Sequence, residues 1–223
     1  MSPRKLLCLT VCAGVFFGLP AATAAEAPSA PGALRPERLR TEYLRNPLGI
    51  DVLKPRLYWR VRSEAQAQKQ TAYRILVASA PELLAPGRAD LWDSGKVASG
   101  QTLHVVYEGK PLTSRQRCHW TVRVWDAGGR PSDWAEPAMW SMGLLQPEDW
   151  RAAWVSYDDP REIKASQENL VLPPARYFRK DFETGGAVQR ATLYVTALGI
   201  CDPYLNGARV TEARFLPGWT DYD

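Results

Sequence analysis

The sequence predicts an all-β protein, made of one complete β-sandwich followed by an incomplete second β-sandwich. Short segments in which apolar and polar residues alternate recur along the chain, and residues typical of turns separate them. Alternation with a period of two is the pattern of a strand that buries one face. No long segment with the apolar period of an amphipathic helix interrupts this series.

The first set of alternating segments lies within residues 39–143, which form the predicted first domain. Leu57, Trp59 and Val61 fall on one face of the segment 56–61. The other segments of this set are 72–79, 105–107, 119–126 and 139–142. Short alternating strands with regular turns between them are typical of a sandwich of the immunoglobulin or fibronectin type III kind.

A second domain is predicted at residues 150–223, beyond a boundary near 143–154. Its strand-like segments are 176–182, 191–198, the pair Tyr204-Leu205 and the aromatic stretch 215–222. Asn206-Gly207 between two of them is a strong signal for a two-residue hairpin turn. These segments are too few, because a β-sandwich usually has about seven strands. We therefore expect an unfinished sandwich, in a truncated product or a gene fragment.

Residues 1–24 carry the pattern of a secretory signal peptide. Arg4 and Lys5 precede an apolar run at 6–19, and small residues ending at Ala24 stand where a signal peptidase cleaves. The run is shorter than the roughly 20 residues that a membrane-spanning helix needs. We therefore expect cleavage near Ala24 and a protein exported to the periplasm or secreted.

Residues 25–38 are predicted to form a solvated linker, because they are rich in alanine and proline and have little apolar periodicity. A loose basic run begins in the linker and continues beyond it: Arg35, Arg38, Arg40 and Arg45. It is interpreted as a solvated edge, with a binding patch as the alternative. The formal net charge of +4 falls by two when the signal peptide leaves. So mild a charge indicates neither a nucleic-acid partner nor a membrane partner.

Two cysteines, Cys118 and Cys201, remain after removal of the signal peptide. An oxidising compartment would allow them to pair, but they lie in strand-like segments of different predicted domains. We expect both to be buried free thiols. The sequence has no Cys-x-x-Cys pair, no histidine cluster and no phosphate-binding or dinucleotide-binding glycine motif. We therefore expect no metal and no cofactor.

A series of short motifs runs in a fixed order from about Leu39 to the end of the sequence. The motifs are NPLGID (46–51), PRLYW (55–59), QTAYRILV (70–77), LWDSGKV (91–97), VRVWD (122–126), Ser132 with Trp134, ALG (197–199), LNG (205–207) and LPGWTDY (216–222). Taken together, this ordered series resembles the amino-terminal region of bacterial α-L-rhamnosidases, glycoside hydrolase family 78.

The resemblance implies a fibronectin-like first domain and a jelly-roll-like second sandwich. In the family, further β domains and a large helical barrel follow, and that barrel carries the catalytic acid and base. The chain would thus be the non-catalytic part of an exported, inverting glycosidase that removes terminal α-L-rhamnose from glycosides or polysaccharides. Its implied partners are a rhamnose-containing glycan or glycoside and the missing downstream catalytic domain. Cys118 and Cys201 stand where an aromatic residue is usual, which we interpret as core variation.

No catalytic residue is predicted within the chain. An inverting glycosidase needs two carboxyl groups roughly 6.5–9.5 Å apart. The densest acidic pair, Asp158-Asp159, lies in a polar loop followed by proline, where solvated turn residues are expected. Asp93 and Asp126 each follow a tryptophan near the end of a predicted strand, and a turn explains both.

Trp219 and Asn206 are the candidate carbohydrate-binding residues, because an exposed indole can stack on a sugar and an amide can bind its hydroxyl groups. Each has another interpretation. Trp219 also fits a packing residue at a sheet edge, and Asn206-Gly207 fits a type I′ turn, which needs positive φ at both positions. The tryptophans of the alternating strands are interpreted as core or inter-sheet residues: Trp59, Trp120 and Trp125.

A second function is compatible with the same sequence, namely a stand-alone carbohydrate-binding or adhesion module in the periplasm. The reading frame separates the two hypotheses. A frame that continues past Asp223 into a helical region favours the enzyme, and a stop codon at that point favours the module.

Export is directly testable. Expressed in a Gram-negative host, the mature protein should begin at or near Ala25, because the small residues before it form the cleavage site. Amino-terminal sequencing of periplasmic protein measures this, and intact Met1 on that protein would contradict the prediction.

Overall fold

The computed structural model describes residues 33–156 and 175–218, and the structural statements below concern these residues. The chain divides into two compact units, Met1–Trp154 and Val155–Asp223. Several sequence predictions lie outside the described residues: the signal peptide at 1–24, most of the linker, Asp158-Asp159 and Trp219.

Seven strands form the first unit. They are β1 (Arg35–Thr41), β2 (Arg56–Arg62), β3 (Ala72–Ala78), β4 (Trp92–Asp93), β5 (Val105–Val106), β6 (Arg117–Trp125) and β7 (Ala138–Ser141). Two short 3-10 helices, Pro81–Leu83 and Pro147–Asp149, complete its regular structure. Within the described part of the chain, no helix is long and apolar enough to cross a membrane.

The strands form two antiparallel sheets, ordered β1-β2-β5 and β4-β3-β6-β7. Three strands facing four is the two-sheet arrangement that immunoglobulin and fibronectin type III domains share. The central pair of the larger sheet places Ile75 opposite Val122 and Val77 opposite Trp120. The predicted all-β, immunoglobulin-like sandwich is confirmed.

The core lies between the two sheets and follows the alternation in the sequence. Leu57 and Trp59 of β2 are buried against Trp120 and Val122 of β6, and Trp140 of β7 is fully buried beside them. Burying one large apolar side chain stabilises the fold by about 1.5–3 kcal/mol, so this face contributes much of the stability of the domain.

Trp125 does not belong to this core, contrary to the sequence prediction. It is half-buried, and the Lys96 ammonium lies 4.8 Å from its ring centroid. The reason is its register: Trp120, Val122 and Val124 point inward, so the next residue points to the outer face of the sheet.

The first strand begins at Arg35, inside the stretch read as linker. Leu34 and Leu39 are both buried in the core, which gives this segment the apolar contacts that a solvated linker lacks. The alanine and proline content of the preceding residues gave no indication of this strand.

In the described part of the second unit, β8 (Tyr204–Leu205) and β9 (Ala208–Arg209) form a hairpin, and a bridge joins Cys201 and Leu216. The strands predicted at 176–182 and 191–198 are not formed in the part of the chain described. A strand needs a hydrogen-bonded neighbour, and Leu193 and Val195 remain 56% and 44% exposed.

Both cysteines are free thiols, as predicted. Cys118 is buried in β6, where desolvation raises the pKa of the thiol to about 12 and makes it chemically inert. Cys201 is only half-buried, so its predicted burial was wrong. Its neighbours in the second unit do not supply the second sheet that would cover it.

Gly109 provides a test of how closely the first sandwich is packed. A Cβ at this position would lie 2.5 Å from the Leu91 carbonyl oxygen and 2.6 Å from the Trp92 Cβ. Gly109→Ala should therefore destabilise the domain by about 1–3 kcal/mol, the usual cost of overpacking. Gly185→Ala is the control, because a Cβ there meets nothing within 4 Å. Thermal unfolding followed by near-ultraviolet circular dichroism measures both, and equal melting temperatures would contradict the packing described.

Candidate functional site

Asn206 occupies the turn of the β8–β9 hairpin. Asn206 and Gly207 have φ values of +50° and +80°, and Leu205 pairs with Ala208 across a two-residue loop. Positive φ at both central positions is the requirement of a type I′ turn. The turn interpretation therefore accounts for this residue, whose side chain is exposed. Its predicted partner Trp219 lies outside the described residues, so the pairing of the two stays a prediction.

Of the carboxylates considered for catalysis, Asp93 and Asp126 lie in the described part of the chain, and both are held in ion pairs. Asp93 accepts hydrogen bonds from Arg74 Nε at 2.8 Å and Nη2 at 2.6 Å. Asp126 accepts from the Arg130 backbone N–H at 2.9 Å and from Arg130 Nε at 2.8 Å. These hydrogen bonds, from the Arg74 side chain in one case and chiefly from the Arg130 backbone in the other, lower the pKa of each carboxyl. A catalytic general acid needs a raised pKa, so neither group suits that role.

A cleft on the outside of the three-stranded sheet brings together residues that are far apart in the sequence. Its volume is about 250 Å³. The residues that line it are Arg38, Arg40, Tyr43, Tyr58, Trp59, Arg60, Leu103 and His104. We call this feature the aromatic cleft. A larger cavity of about 450 Å³ next to Gln70 and Gly100 has a lining of mainly small and amide side chains, with Lys69 as its charged residue.

A β-bulge in β1 turns two arginines toward the cleft. The pairing shifts between Glu37↔Arg60 and Arg40↔Tyr58, so that two residues of β1 face one residue of β2. Arg38, at the bulge, has a φ of +54°. Bulges occur beside functional sites because they redirect a side chain. Here the bulge leaves Arg38 and Arg40 exposed while Leu39 between them is buried.

The turn after β1 carries an exposed ring of the cleft, that of Tyr43. Backbone hydrogen bonds of 3.0 and 2.9 Å join Thr41 and Leu44 across the two residues Glu42 and Tyr43. Those two residues have φ values of +48° and +64°, a conformation normally taken by glycine or asparagine. His104, on the other side of the cleft, also has positive φ, +56°. Such conformations cost about 1–3 kcal/mol each and persist only where contacts fix them.

Three aromatic rings supply those contacts. The rings of Tyr43 and Tyr58 lie 4.5 Å apart between centroids, tilted by 36°. His104 meets both rings edge-on, at 5.7 and 5.2 Å. The Tyr43 hydroxyl is 2.7 Å from His104 Nε2, within hydrogen-bond distance. The ring of Tyr43 is therefore fixed in position although it is 54% exposed.

An ion pair closes the base of the turn. Arg56 Nε donates to both oxygens of Glu42, at 3.2 and 3.1 Å, and the Arg56 guanidinium carbon lies 5.3 Å from the Tyr43 ring centroid. The Arg56 side-chain hydrogen bonds lower the pKa of the Glu42 carboxyl. Glu42 therefore stays ionised and neutralises Arg56, while the arginines that line the cleft have no carboxylate in that lining.

Tyr58 forms the floor of the cleft. It is 5% exposed, and its hydroxyl oxygen is buried beside the Tyr43 hydroxyl. Burial, and to a lesser extent the neighbouring Tyr43 hydroxyl, raise the pKa of Tyr58 to about 12. A hydroxyl this deeply buried is out of reach of a ligand, so Tyr58 contributes to the cleft by supporting the ring of Tyr43 from beneath.

Sequence reasoning detected only Arg38 and Arg40 of this site, as part of a basic run interpreted as a solvated edge with a binding patch as the alternative. Glu42 and Tyr43 are not typical turn residues, and His104 is 61 positions from Tyr43. No local pattern in the sequence indicates that they meet.

Comparison with known proteins finds a family match in each of the two units. A family model described as "Rha78A-like, N-terminal immunoglobulin domain" matches residues 36–146, and one described as "Alpha-L-rhamnosidase N-terminal domain" matches residues 186–223. An α-L-rhamnosidase of Formosa agariphila is 40% identical over 183 residues, 82% of this chain and 20% of the relative. One from Alteromonas sp. (strain LOR) is 40% identical over 181 residues, 80% of this chain and 19% of the relative.

Solved structures agree. The Streptomyces avermitilis α-L-rhamnosidase complexed with L-rhamnose matches with a TM-score of 0.55 and 43% identity, over 57% of this chain and 12% of that chain. The α-L-rhamnosidase from Dictyoglumus thermophilum matches with a TM-score of 0.53 and 34% identity, over 56% of this chain and 14% of that chain. The chain spans about one fifth of the length of the two curated relatives. The resemblance read from the sequence motifs is confirmed.

The Glu42–Arg56 ion pair gives a prediction on stability and its dependence on pH. Glu42→Gln should lower the free energy of unfolding by about 1 kcal/mol at pH 7, a modest figure because Arg56 is nearly half exposed. The lowered carboxyl pKa means that this stability is present above about pH 4.5 and is lost as the pH falls through the folded-state pKa. The wild type and the variant should therefore converge near pH 3.

Urea unfolding at pH 7 and pH 3 measures the difference. Glu64→Gln removes the same charge at an exposed position and serves as the control. A Glu42→Gln effect that is no larger than that of the control at pH 7, or that grows on acidification, would contradict the role assigned to the pair.

Proposed function

Because this chain matches the amino-terminal region of the α-L-rhamnosidase family in two successive domains, we propose that it is the non-catalytic amino-terminal part of an exported α-L-rhamnosidase. The observation that carries the proposal is how much of each sequence the alignments cover. Four fifths of the chain align at 40% identity with about one fifth of the relatives from Formosa agariphila and Alteromonas sp.. The pairing of Asp93 and Asp126 with arginines supports a non-catalytic role for the described residues.

In the complete protein the reaction would be hydrolysis of terminal α-L-rhamnose from a glycoside or polysaccharide. Inversion at the anomeric carbon requires an acid and a base on opposite faces of the sugar, about 6.5–9.5 Å apart. Both groups would come from a downstream catalytic domain, the first partner of this chain. The second partner would be the rhamnose-containing substrate. The solved relative from Streptomyces avermitilis, which is complexed with L-rhamnose, supports this substrate class.

The second unit exposes large aromatic side chains, which supports the proposal of a longer protein. Tyr177, Phe182 and Phe215 are 98%, 68% and 72% exposed. Large apolar side chains exposed together usually mark a surface that another element covers. We propose that further parts of the rhamnosidase pack on this unit, and that the amino-terminal region supports and orients the catalytic domain.

The second candidate function is a stand-alone carbohydrate-binding or adhesion module in the periplasm. The aromatic cleft favours it, since a fixed and exposed tyrosine is a surface on which sugars stack. Asn206 and Trp219 remain candidate sugar-binding residues in the second unit under either function. Sequencing the gene past Asp223 separates the two functions.

The main proposal predicts that this chain has no α-L-rhamnosidase activity of its own. The purified chain should release no nitrophenol from an aryl α-L-rhamnoside above background, because Asp93 and Asp126 have lowered pKa values and arginine partners. The Streptomyces avermitilis enzyme, assayed in parallel, is the positive control. Rhamnoside hydrolysis that disappears in Asp93→Asn or Asp126→Asn would overturn the proposal.

A further inference from the structure

The aromatic cleft carries an excess of positive charge. Arg38, Arg40 and Arg60 line it, and its lining contains no carboxylate. The nearest acids give little compensation. Glu42 is bound to Arg56, and Glu37 lies 3.8 Å from Arg38 in a pair that is exposed and therefore weak.

The arginines also retain donors for a ligand. Arg40 Nη1 donates to the Tyr43 carbonyl at 3.3 Å, a contact that uses one of the five N–H groups of a guanidinium. Planar, forked donors match a carboxylate or a sulfate, and they bind it more strongly than a neutral group. The charge of the cleft therefore selects an anion.

The wall beside these arginines is apolar and rigid. Tyr43 and Leu103 are 54% and 58% exposed, and both present apolar surface to the cleft. Tyr58 beneath and the hydrogen bond to His104 hold the Tyr43 ring, and the turn that presents it is strained. The strained backbone holds the Tyr43 ring in place before any ligand binds. The side chain therefore loses little conformational entropy when a sugar stacks on it.

The size and floor of the cleft limit the ligand further. Its volume of about 250 Å³ is below the range of about 300–1,000 Å³ for pockets that take drug-sized ligands. It therefore suits one sugar unit rather than a folded partner. The Tyr58 hydroxyl in the floor is buried, so the wall and the arginines, rather than the floor, provide the contacts to the ligand.

We propose that the aromatic cleft binds an acidic saccharide, with the sugar ring stacked on Tyr43 and its carboxylate or sulfate held by Arg38, Arg40 and Arg60. An acidic sugar combines the apolar C–H face and the anion that the cleft separately selects. The site belongs to the first sandwich alone. It therefore stands whether or not the chain is part of a rhamnosidase.

Calorimetric titration of the purified chain tests the proposal with three probes. An oligogalacturonate tests the carboxylate, its methyl ester keeps the ring and removes the charge, and a sulfated dextran oligosaccharide tests the sulfate. At least one charged probe should bind. If the arginines bind the carboxylate, the methyl ester should bind about tenfold more weakly than the free acid. Binding of the sulfated probe alone assigns the anion as sulfate and also supports the proposal.

Two variants locate the binding. Tyr43→Gly removes the ring but suits the positive φ of the turn, so the fold should persist while binding falls at least about tenfold. Arg40→Gln should weaken the charged probe about three- to tenfold, whereas the exposed Arg88→Gln, with the same charge change, should leave it unchanged.

Three results would overturn the proposal. One is the absence of binding by both charged probes, and this result would favour a surface covered by another protein element. Another is equal binding of the acid and its ester with no sulfate binding. The third is an equal loss in Arg40→Gln and Arg88→Gln, which indicates non-specific attraction to net charge. Rhamnoside hydrolysis is not measured in this experiment, so its outcome is separate from that of the proposed function.

Discussion

Burial of the Trp59 indole between the two sheets is the interaction on which the rest of the first domain depends. Its Nε1 donates to Gln70 Oε1 at 3.0 Å, and Gln70 Nε2 donates in turn to the carbonyls of Ser99 and Gln101 at 3.1 and 2.9 Å. The Trp59 backbone N–H also donates to the Thr102 carbonyl at 3.0 Å. One buried ring thus connects β2 with the segment that leads to β5.

The same interaction sets the position of the aromatic cleft. Because Trp59 points inward, its neighbours Tyr58 and Arg60 must point to the outer face of β2. Gln101 Nε2 continues the network to the Leu103 and His104 carbonyls, at 2.9 and 3.3 Å. The core therefore fixes both sides of a site that faces solvent, and the strained turn at Tyr43 completes it. A rigid scaffold that positions a surface loop is a common arrangement for binding.

The two units of the chain differ in how far they satisfy their apolar residues. In the first unit, the inner faces of both sheets are buried against each other. In the second unit, the described residues form one hairpin, and the alternation of Leu193 and Val195 leads to no paired strand. Alternation records only which side chains require a covering surface, and a strand forms only when a neighbouring strand supplies hydrogen bonds.

The sequence by itself determined the fold class, most strand positions of the first domain, the hairpin at Asn206-Gly207 and the family, because each depends on local periodicity, turn chemistry or motif order. The tertiary structure decided the aromatic cleft. The bulge at Arg38, the left-handed turn at Tyr43 and its contact with His104 depend on strand register and on burial between distant segments. Those are properties of packing, and local residue patterns do not encode them.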